Sequence, residues 1–135
     1  MVHLKIKGSN LRQNVKKAKR ELMGLIREVV FLRDGAACLR CGRRERLQMS
    51  HIYPKGKYRK LELDVNNIKT LCAPCHLFWW HRNPIEAWEW LQTAIPAERL
   101  KRLKLAALDN SSYRLDIKLL KLELEQLKKR YKKGG

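Results

Sequence analysis

Two Cys-x-x-Cys pairs constrain this chain more than any other feature of its sequence. Cys38 and Cys41 form the first pair, Cys72 and Cys75 form the second, and the chain has no other cysteine. Each pair supplies two thiolates from one tight turn, and two such turns complete a tetrahedron around zinc with Zn–S distances of about 2.3 Å. Four thiolates leave no coordination position for a substrate. The spacing therefore predicts a structural zinc site that holds the residues around it in place.

Three polar side chains lie within or just after the segment that the cysteine pairs enclose: His51, Asn67 and His76. Near neutral pH an imidazole can take a proton from water or bind a metal ion, and an amide can orient a neighbour without adding charge. The three residues are therefore candidates for a reactive centre. Other interpretations stay open: His51 as a buried structural histidine, His76 as a zinc ligand in place of a cysteine, and Asn66 as the functional amide.

Basic residues outnumber acidic ones by 31 to 13, which gives a net charge of +18. Such an excess predicts a polyanionic partner, because each basic group placed on a phosphate releases condensed counterions. The charge is spread along the whole chain, so the body of the protein is expected to face DNA or RNA. No apolar run reaches the roughly 20 residues of a membrane-spanning helix, and Met1 does not open a signal-peptide pattern. The cysteine pairs suit a reducing cytoplasm better than a disulfide scaffold.

Eight basic side chains are candidates for contact with the nucleic-acid backbone, since phosphate contacts position a protein on its substrate. Four lie in the loop after His51, two follow the first cysteine pair and two lie on the first helix. A solvated helix surface is the alternative for the last two. The candidates are Lys55, Lys57, Arg59, Lys60, Arg43, Arg44, Lys16 and Lys17.

Apolar residues at alternating steps of four and three predict a long first helix that ends near Asp34, with Gly35 as its stop. Residues 1–8 before it are expected to be frayed or to form a small strand. Residues 36–53 are predicted to form a β-hairpin or a pair of short strands around the first zinc turn. A turn and a return strand are predicted after Asp64, and helical structure from Ala73.

Three more helices are predicted: one begins at Pro84, one covers residues 96–108, and a last one is capped by Asn110 or Ser111. Apolar seams on the first and last helices predict that these two pair, either within one chain or across a dimer. The four tryptophans lie between residues 79 and 90. They are expected mainly as core beneath the zinc module, with a base-stacking surface as the alternative.

The order of these motifs resembles the HNH endonuclease family. C-L-R-C is followed by S-H-I-Y-P and then by N-I-K-T-L-C-A-P-C-H. The wider layout is also similar to phage NinG-type recombination proteins and to the junction-resolving endonuclease VII. The resemblance implies an α+β, mostly helical fold, in which a zinc-clamped ββα-metal core is flanked by long N- and C-terminal helices. The expected divisions are a basic helix over 1–35, the nuclease core with its zinc site over 36–83, and C-terminal helices with a coiled-coil dimerisation segment over 84–135.

The resemblance also implies roles for single residues. The family makes His51 the general base, Asn67 its orienting partner and His76 a ligand of one catalytic ion, magnesium or manganese. Ser50 stands where the family often has an acidic or histidine ligand, and a neutral hydroxyl is a poor ligand for a hard cation. His81 lies five residues after His76 instead of four, which turns it about 140° away on an α-helix. Ser50 and His81 are therefore the weaker candidate ligands of the catalytic ion.

The resulting expectation is a metal-dependent DNA endonuclease that hydrolyses phosphodiester bonds. Its implied substrate is branched DNA such as a Holliday junction, which a homodimer would cut in the cytoplasm of a bacterial host. The protein itself is expected to be encoded by that host or by a phage. One alternative is a sequence-tolerant nicking or phage-packaging nuclease. A second is a non-catalytic, zinc-stabilised DNA-binding module, an interpretation that Ser50 keeps open. An RNA target is a third.

Overall fold

The computed structural model describes residues 8–134. The segment 1–8, expected to be frayed or a small strand, lies outside this range except for its last residue. The main elements are α1 (Gly8–Asp34), β1 (Leu47–His51), β2 (Ile68–Cys72), α2 (Pro84–Ala94), α3 (Ala97–Leu108) and α4 (Ile117–Lys133). Short 3₁₀ turns cover Arg59–Leu61 and Val65–Asn67, and a π-helix covers Cys75–Trp80. The described chain is thus α+β and mostly helical, as predicted.

The sheet consists of β1 and β2, which pair antiparallel with His51 opposite Ile68 and Ser50 opposite Lys69. Every residue of β2 is buried. The prediction of a hairpin or strand pair inside residues 36–53 is wrong, because residues 36–46 hold the first cysteine turn and form no strand. The partner of β1 comes from the later segment that carries Asn67, so the sheet brings the two candidate regions together.

The terminal helices α1 and α4 pack against each other within one chain. Their shared core contains Leu22, Ile26 and Val29 of α1 and Leu124 of α4, together with Ile68 of β2. Burying apolar side chains of this size is worth about 1.5–3 kcal/mol each. This core fixes the long helices to the sheet. Within residues 8–134, no helix combines the length and the apolar character needed to cross a membrane.

The last helix starts later than the sequence suggests. Asp116 is its N-cap, and its Oδ1 accepts a hydrogen bond of 3.0 Å from the Leu119 N–H. The prediction of a cap at Asn110 or Ser111 is wrong, because the Asp109 carboxylate accepts from the Ser111 N–H at 2.9 Å and holds this segment as a turn. Both aspartates act in the same way, because a short carboxylate can accept a hydrogen bond from the backbone N–H of a residue two or three positions later.

Candidate functional site

The four cysteine sulfurs form one cluster in which all Sγ atoms lie within 4.8 Å of one another. A tetrahedral zinc ion with Zn–S bonds of about 2.3 Å places its sulfurs about 3.8 Å apart. The Sγ atoms of Cys41 and Cys72, one from each pair, are 3.6 Å apart. The cluster therefore fits zinc in both donor type and spacing.

The first cysteine turn is closed by backbone hydrogen bonds. The Gly42 N–H donates to the Cys38 carbonyl at 2.8 Å, and the Cys38 N–H donates to the Arg43 carbonyl at 2.8 Å. Gly42 has a φ of +81°, a left-handed conformation that glycine adopts without a steric penalty. The second pair joins the end of β2 to the π-helix. A metal ion in the cluster would tie the first turn to both elements.

Electrostatics also favours a cation among the four thiols. Burial is the main cause that raises the pKa of Cys75 to about 12, and the neighbouring thiols of Cys72 and Cys38 contribute to this increase. The Arg40 guanidinium, 3.5 Å from Cys75 Sγ, lowers the pKa of that thiol. It also lies 3.9 Å from the centre of the Trp79 ring, which fixes its position. Four thiols this close together cannot all lose their protons unless a metal ion balances the negative charge.

His51 ends β1 and is held through one ring nitrogen. Its Nε2 lies 2.8 Å from the backbone carbonyl oxygen of Glu62. Because a carbonyl can only accept, Nε2 carries the hydrogen and Nδ1 keeps a free lone pair. Burial lowers the pKa of His51, and the charges of Lys55 and Lys69 lower it further against the opposing effect of the Glu62 carbonyl. The imidazole is therefore neutral at pH 7 and can accept a proton at Nδ1.

Asn67 is fully buried, and its hydrogen bonds go to backbone atoms. Its Oδ1 accepts from the Tyr53 N–H at 2.7 Å, and its Nδ2 donates to the carbonyls of Tyr53 and Leu61 at 3.0 Å each. These bonds join the segment just after His51 to the segment just before Glu62. Asn67 thus fixes the backbone on both sides of the loop that leads to Glu62, whose carbonyl sets the tautomer of His51. Asn66, the alternative amide, is exposed.

Two arginines from the flanking helices hold the turn that carries Asn67. Arg33 of α1 donates to the Val65 carbonyl at 2.7 Å. Arg99 of α3 donates to the carbonyls of Asn66 at 2.8 Å and Ile68 at 3.0 Å. Burial lowers the pKa of Arg99 to about 10, which leaves it charged at neutral pH. Charge-assisted bonds of this kind are stronger than neutral ones, so both helices stabilise the position of Asn67.

His76 and His81 point ring nitrogens at each other. The Nδ1 of His76 lies 2.8 Å from Gln48 Oε1, an acceptor, so Nδ1 carries the hydrogen and Nε2 keeps its lone pair. That Nε2 is 3.1 Å from the Nε2 of His81. Burial lowers the pKa of His76 to about 4, with further contributions from His81, Lys69 and His51. A neutral imidazole with a fixed tautomer is the form that binds metal ions.

The expectation that His81 turns away from His76 is wrong. It assumed an α-helix, whereas Cys75–Trp80 is a π-helix with His81 at its C-cap. In a π-helix the backbone hydrogen bonds join residues five apart, so position i+5 lies one turn further on. The spacing that looked unfavourable is therefore the one that brings the two imidazoles together. Such π-helical turns occur frequently at functional sites.

Ser50, the weakest candidate ligand, is fully buried and is bonded to a lysine. The Lys69 Nζ donates to Ser50 Oγ at 2.9 Å and lies 3.3 Å from the centre of the Trp80 ring. Burial lowers the pKa of Lys69 well below its usual range, and the charge of Arg99 adds to this effect. Because the Lys69 amine already bonds to this oxygen inside the core, the Ser50 hydroxyl is not available to a metal ion. Sequence reasoning did not identify Lys69, because a lysine in a strand carries no motif.

The predicted DNA-contacting residues divide into two groups. Lys60 donates to the Asp109 carbonyl at 3.0 Å and to Ser111 Oγ at 3.1 Å, and Arg44 donates to the Gly35 carbonyl at 3.2 Å. Lys60 and Arg44 therefore have roles within the fold. Arg44 is nevertheless exposed, as are the other six candidates: Lys16, Lys17, Arg43, Lys55, Lys57 and Arg59.

The tryptophans are not all core residues. Trp79 is buried and makes an edge-to-face contact with Trp90, with 5.1 Å between the ring centres. Trp80 is half-buried beneath Lys69. Trp88 is 46% exposed, the most accessible of the four. Three of them therefore support the zinc module as expected, and Trp88 faces solvent.

Comparison with known proteins supplies one match. The family model for HNH endonuclease matches residues 38–77. This range begins at the first cysteine and ends just after His76, so it contains both cysteine pairs, His51 and Asn67. No curated protein and no solved structure matches the chain.

Proposed function

We propose that the protein is a metal-dependent DNA endonuclease, because the HNH endonuclease family model matches residues 38–77 and these residues include a four-cysteine site fitted for zinc. Phosphodiester hydrolysis needs a base for the attacking water and a cation that stabilises the phosphate and the leaving oxygen. The observation that carries the proposal is the fixed pair of tautomers, with a free Nδ1 on His51 and a free Nε2 on His76.

His51 is the general base in this mechanism. Its Nδ1 takes a proton from the attacking water, while its Nε2–H stays bonded to the Glu62 carbonyl. That carbonyl stabilises the positive charge that the ring gains. Asn67 is a positioning residue, because it fixes the backbone on both sides of the loop that carries Glu62. The neutral resting state of His51 suits it to this role at pH 7.

His76 and His81 are the proposed ligands of the catalytic ion. Magnesium or manganese bound there would polarise the scissile phosphate and stabilise the departing 3′ oxygen. Gln48 keeps the lone pair of the His76 Nε2 available, because it holds the hydrogen of this ring on Nδ1. Because both ligands are imidazoles, the site favours manganese over magnesium, which prefers oxygen ligands.

The exposed basic residues supply the proposed DNA contacts. Lys55 lies close enough to His51 to lower the pKa of the imidazole, and Lys57 and Arg59 follow in the same loop. These side chains would hold phosphates flanking the cleavage point. Lys16 and Lys17 extend the basic surface along α1. The division into a basic helix (1–35), a nuclease core (36–83) and C-terminal helices (84–135) describes these proposed roles.

We further propose that the protein acts as a homodimer on branched DNA. Leu11 and Val15 of α1 and Leu119 and Leu122 of α4 are exposed, and a second copy could cover them. Two active sites on one basic body would cut a junction in paired strands. Four free cysteines suit a reducing compartment, which agrees with a bacterial cytoplasm and with a phage-encoded enzyme.

A cleavage assay on a four-way junction and a matched linear duplex tests the proposed function. With zinc-loaded protein and added manganese or magnesium, we expect the junction to be cut at paired positions and faster than the duplex. Equal nicking of both substrates would support the proposed nuclease activity and contradict the proposed preference for junctions. Binding of both substrates without cleavage in any divalent ion would support the alternative of a non-catalytic DNA-binding module.

His81→Ala is expected to weaken manganese binding to the zinc-loaded protein by at least tenfold, and His76→Ala is expected to do the same. The reason is that each change removes one of two converging Nε2 ligands. Manganese binding can be measured by electron paramagnetic resonance, without any cleavage step. Arg82→Ala, which removes an exposed neighbour of His81, is the matched control and should leave affinity unchanged. If His81→Ala behaves like the control, the second ligand is misassigned.

A further inference from the structure

A small apolar pocket lies beside the histidine pair. Its volume is about 280 Å³, and it is lined by Ile52, Trp80, His81, Pro84, Ala87 and Trp88. Ligand pockets for whole small molecules measure about 300–1,000 Å³, so this one suits a single ring system. Ile52 directly follows His51, and His81 contacts His76. The pocket therefore adjoins both parts of the proposed reactive centre.

The lining of the pocket is aromatic and aliphatic except for His81. Trp88 is 46% exposed, although a tryptophan usually buries its large apolar surface. In the preceding π-helix, Phe78 is 59% exposed, and the Arg82 guanidinium lies 5.2 Å from its ring centre. Aromatic faces interleaved with cationic groups are typical of surfaces that bind single-stranded nucleic acid.

We propose that this pocket receives an unpaired nucleobase of the DNA strand, next to the scissile phosphate. The inference rests on the proposed nuclease function and specifies its substrate. A phosphate held at the histidine pair carries its nucleoside with it, and His81 belongs to both the pair and the pocket. A base within a duplex has both faces stacked on its neighbours, so its faces cannot reach Trp88 unless the base leaves the stack.

The chemistry of the pocket also predicts how selective it is. Every base has an aromatic face, and stacking on a side chain is tolerant of sequence. Five of the six lining residues are apolar, which leaves few groups to read the hydrogen-bonding edge of a base. The protein should therefore cut where a strand has an unpaired nucleotide, in a single strand, a flap or an open junction, with little sequence preference.

A binding experiment tests the inference without relying on cleavage. The probe is an oligonucleotide with one 2-aminopurine, presented as a single strand or annealed in a full duplex. Zinc-loaded protein is added without magnesium or manganese. Wild-type protein should change the 2-aminopurine fluorescence of the single strand and not that of the duplex. Trp88→Ala should weaken single-strand binding about tenfold and leave duplex binding unchanged, and Trp88→Phe should restore most of the affinity.

Ile85→Ala is the matched control, because Ile85 is 78% exposed on the same helix and does not line the pocket. It should bind both probes as the wild type does. Equal fluorescence changes for the two probes in the wild type, or equal losses for them in Trp88→Ala, would overturn the inference. Cleavage that persists after such a result leaves the nuclease proposal standing. If the protein binds the single strand selectively but cuts no DNA, the pocket is a nucleobase site and the nuclease proposal is wrong.

Discussion

Replacing His51 by alanine is expected to lower the rate of DNA cleavage by about a hundredfold to ten-thousandfold, the contribution typical of general base catalysis. The reason is the loss of the free Nδ1, since Nε2 is already bonded to the Glu62 carbonyl. DNA affinity should be unchanged, because the phosphate contacts lie on other residues. Single-turnover cleavage measured beside DNA binding separates these two effects.

Lys57→Ala is the matched control for His51→Ala. Lys57 is an exposed residue of the neighbouring loop, so its loss should weaken DNA binding and leave the single-turnover rate nearly intact.

The pH profile of DNA cleavage gives a second test of His51. Burial lowers the pKa of His51, so the base stays neutral down to pH values below its ordinary pKa of about 6.5. Cleavage activity should therefore fall only in solution more acidic than this pH. If His51→Ala cleaves DNA as fast as the wild type, His51 is not the general base.

Removing zinc is expected to unfold the nuclease core. The apparent binding free energy of a structural zinc ion is about 10–16 kcal/mol, as large as the whole stability of a typical domain at about 5–15 kcal/mol. Without the metal, no metal–sulfur bonds join the first cysteine turn to the second, although their four sulfurs lie within 4.8 Å of one another. Chelation should therefore abolish the cooperative thermal transition followed by circular dichroism, and added zinc, but not magnesium, should restore it.

Two cysteine variants separate metal binding from packing. Cys72 is buried in β2, whereas Cys41 is exposed. If the cysteines are zinc ligands, Cys41→Ser and Cys72→Ser should both lose about as much stability as the chelated protein. If they only fill space in the core, Cys41→Ser should melt like the wild type and Cys72→Ser should be destabilised. The second pattern would refute the zinc site.

The parts of the site that could be predicted from sequence are those whose chemistry requires particular residue types at short spacing. The two cysteine pairs predict their own cluster, which the structure has. His51 and Asn67 lie between the two cysteine pairs in sequence. They come close together because β1 and β2, which bring the two cysteine turns together, also pair His51 with Ile68, the residue after Asn67. The apolar seams of the first and last helices likewise predict their pairing.

Other features depend on geometry that residue types do not encode. The partner of His51 is the backbone carbonyl of Glu62, a group that every residue has. The approach of His81 to His76 depends on a π-helix, which the sequence does not distinguish from an α-helix. The bond between Lys69 and Ser50 depends on strand register, which places them opposite each other. The contacts of His51 and Lys69 join residues distant in sequence, whereas the contact between His76 and His81 is set by the local type of helix.

In the proposed mechanism, this zinc-clamped frame cuts DNA with His51 and a divalent ion. The most direct test follows a 5′-labelled DNA strand with zinc-loaded protein under single-turnover conditions, with and without manganese. We expect cleavage only with manganese, a 3′ hydroxyl on the upstream product, and product formation from His51→Ala that is slower by at least about a hundredfold. DNA that is bound but stays intact with manganese would contradict the claim and leave a zinc-stabilised DNA-binding protein.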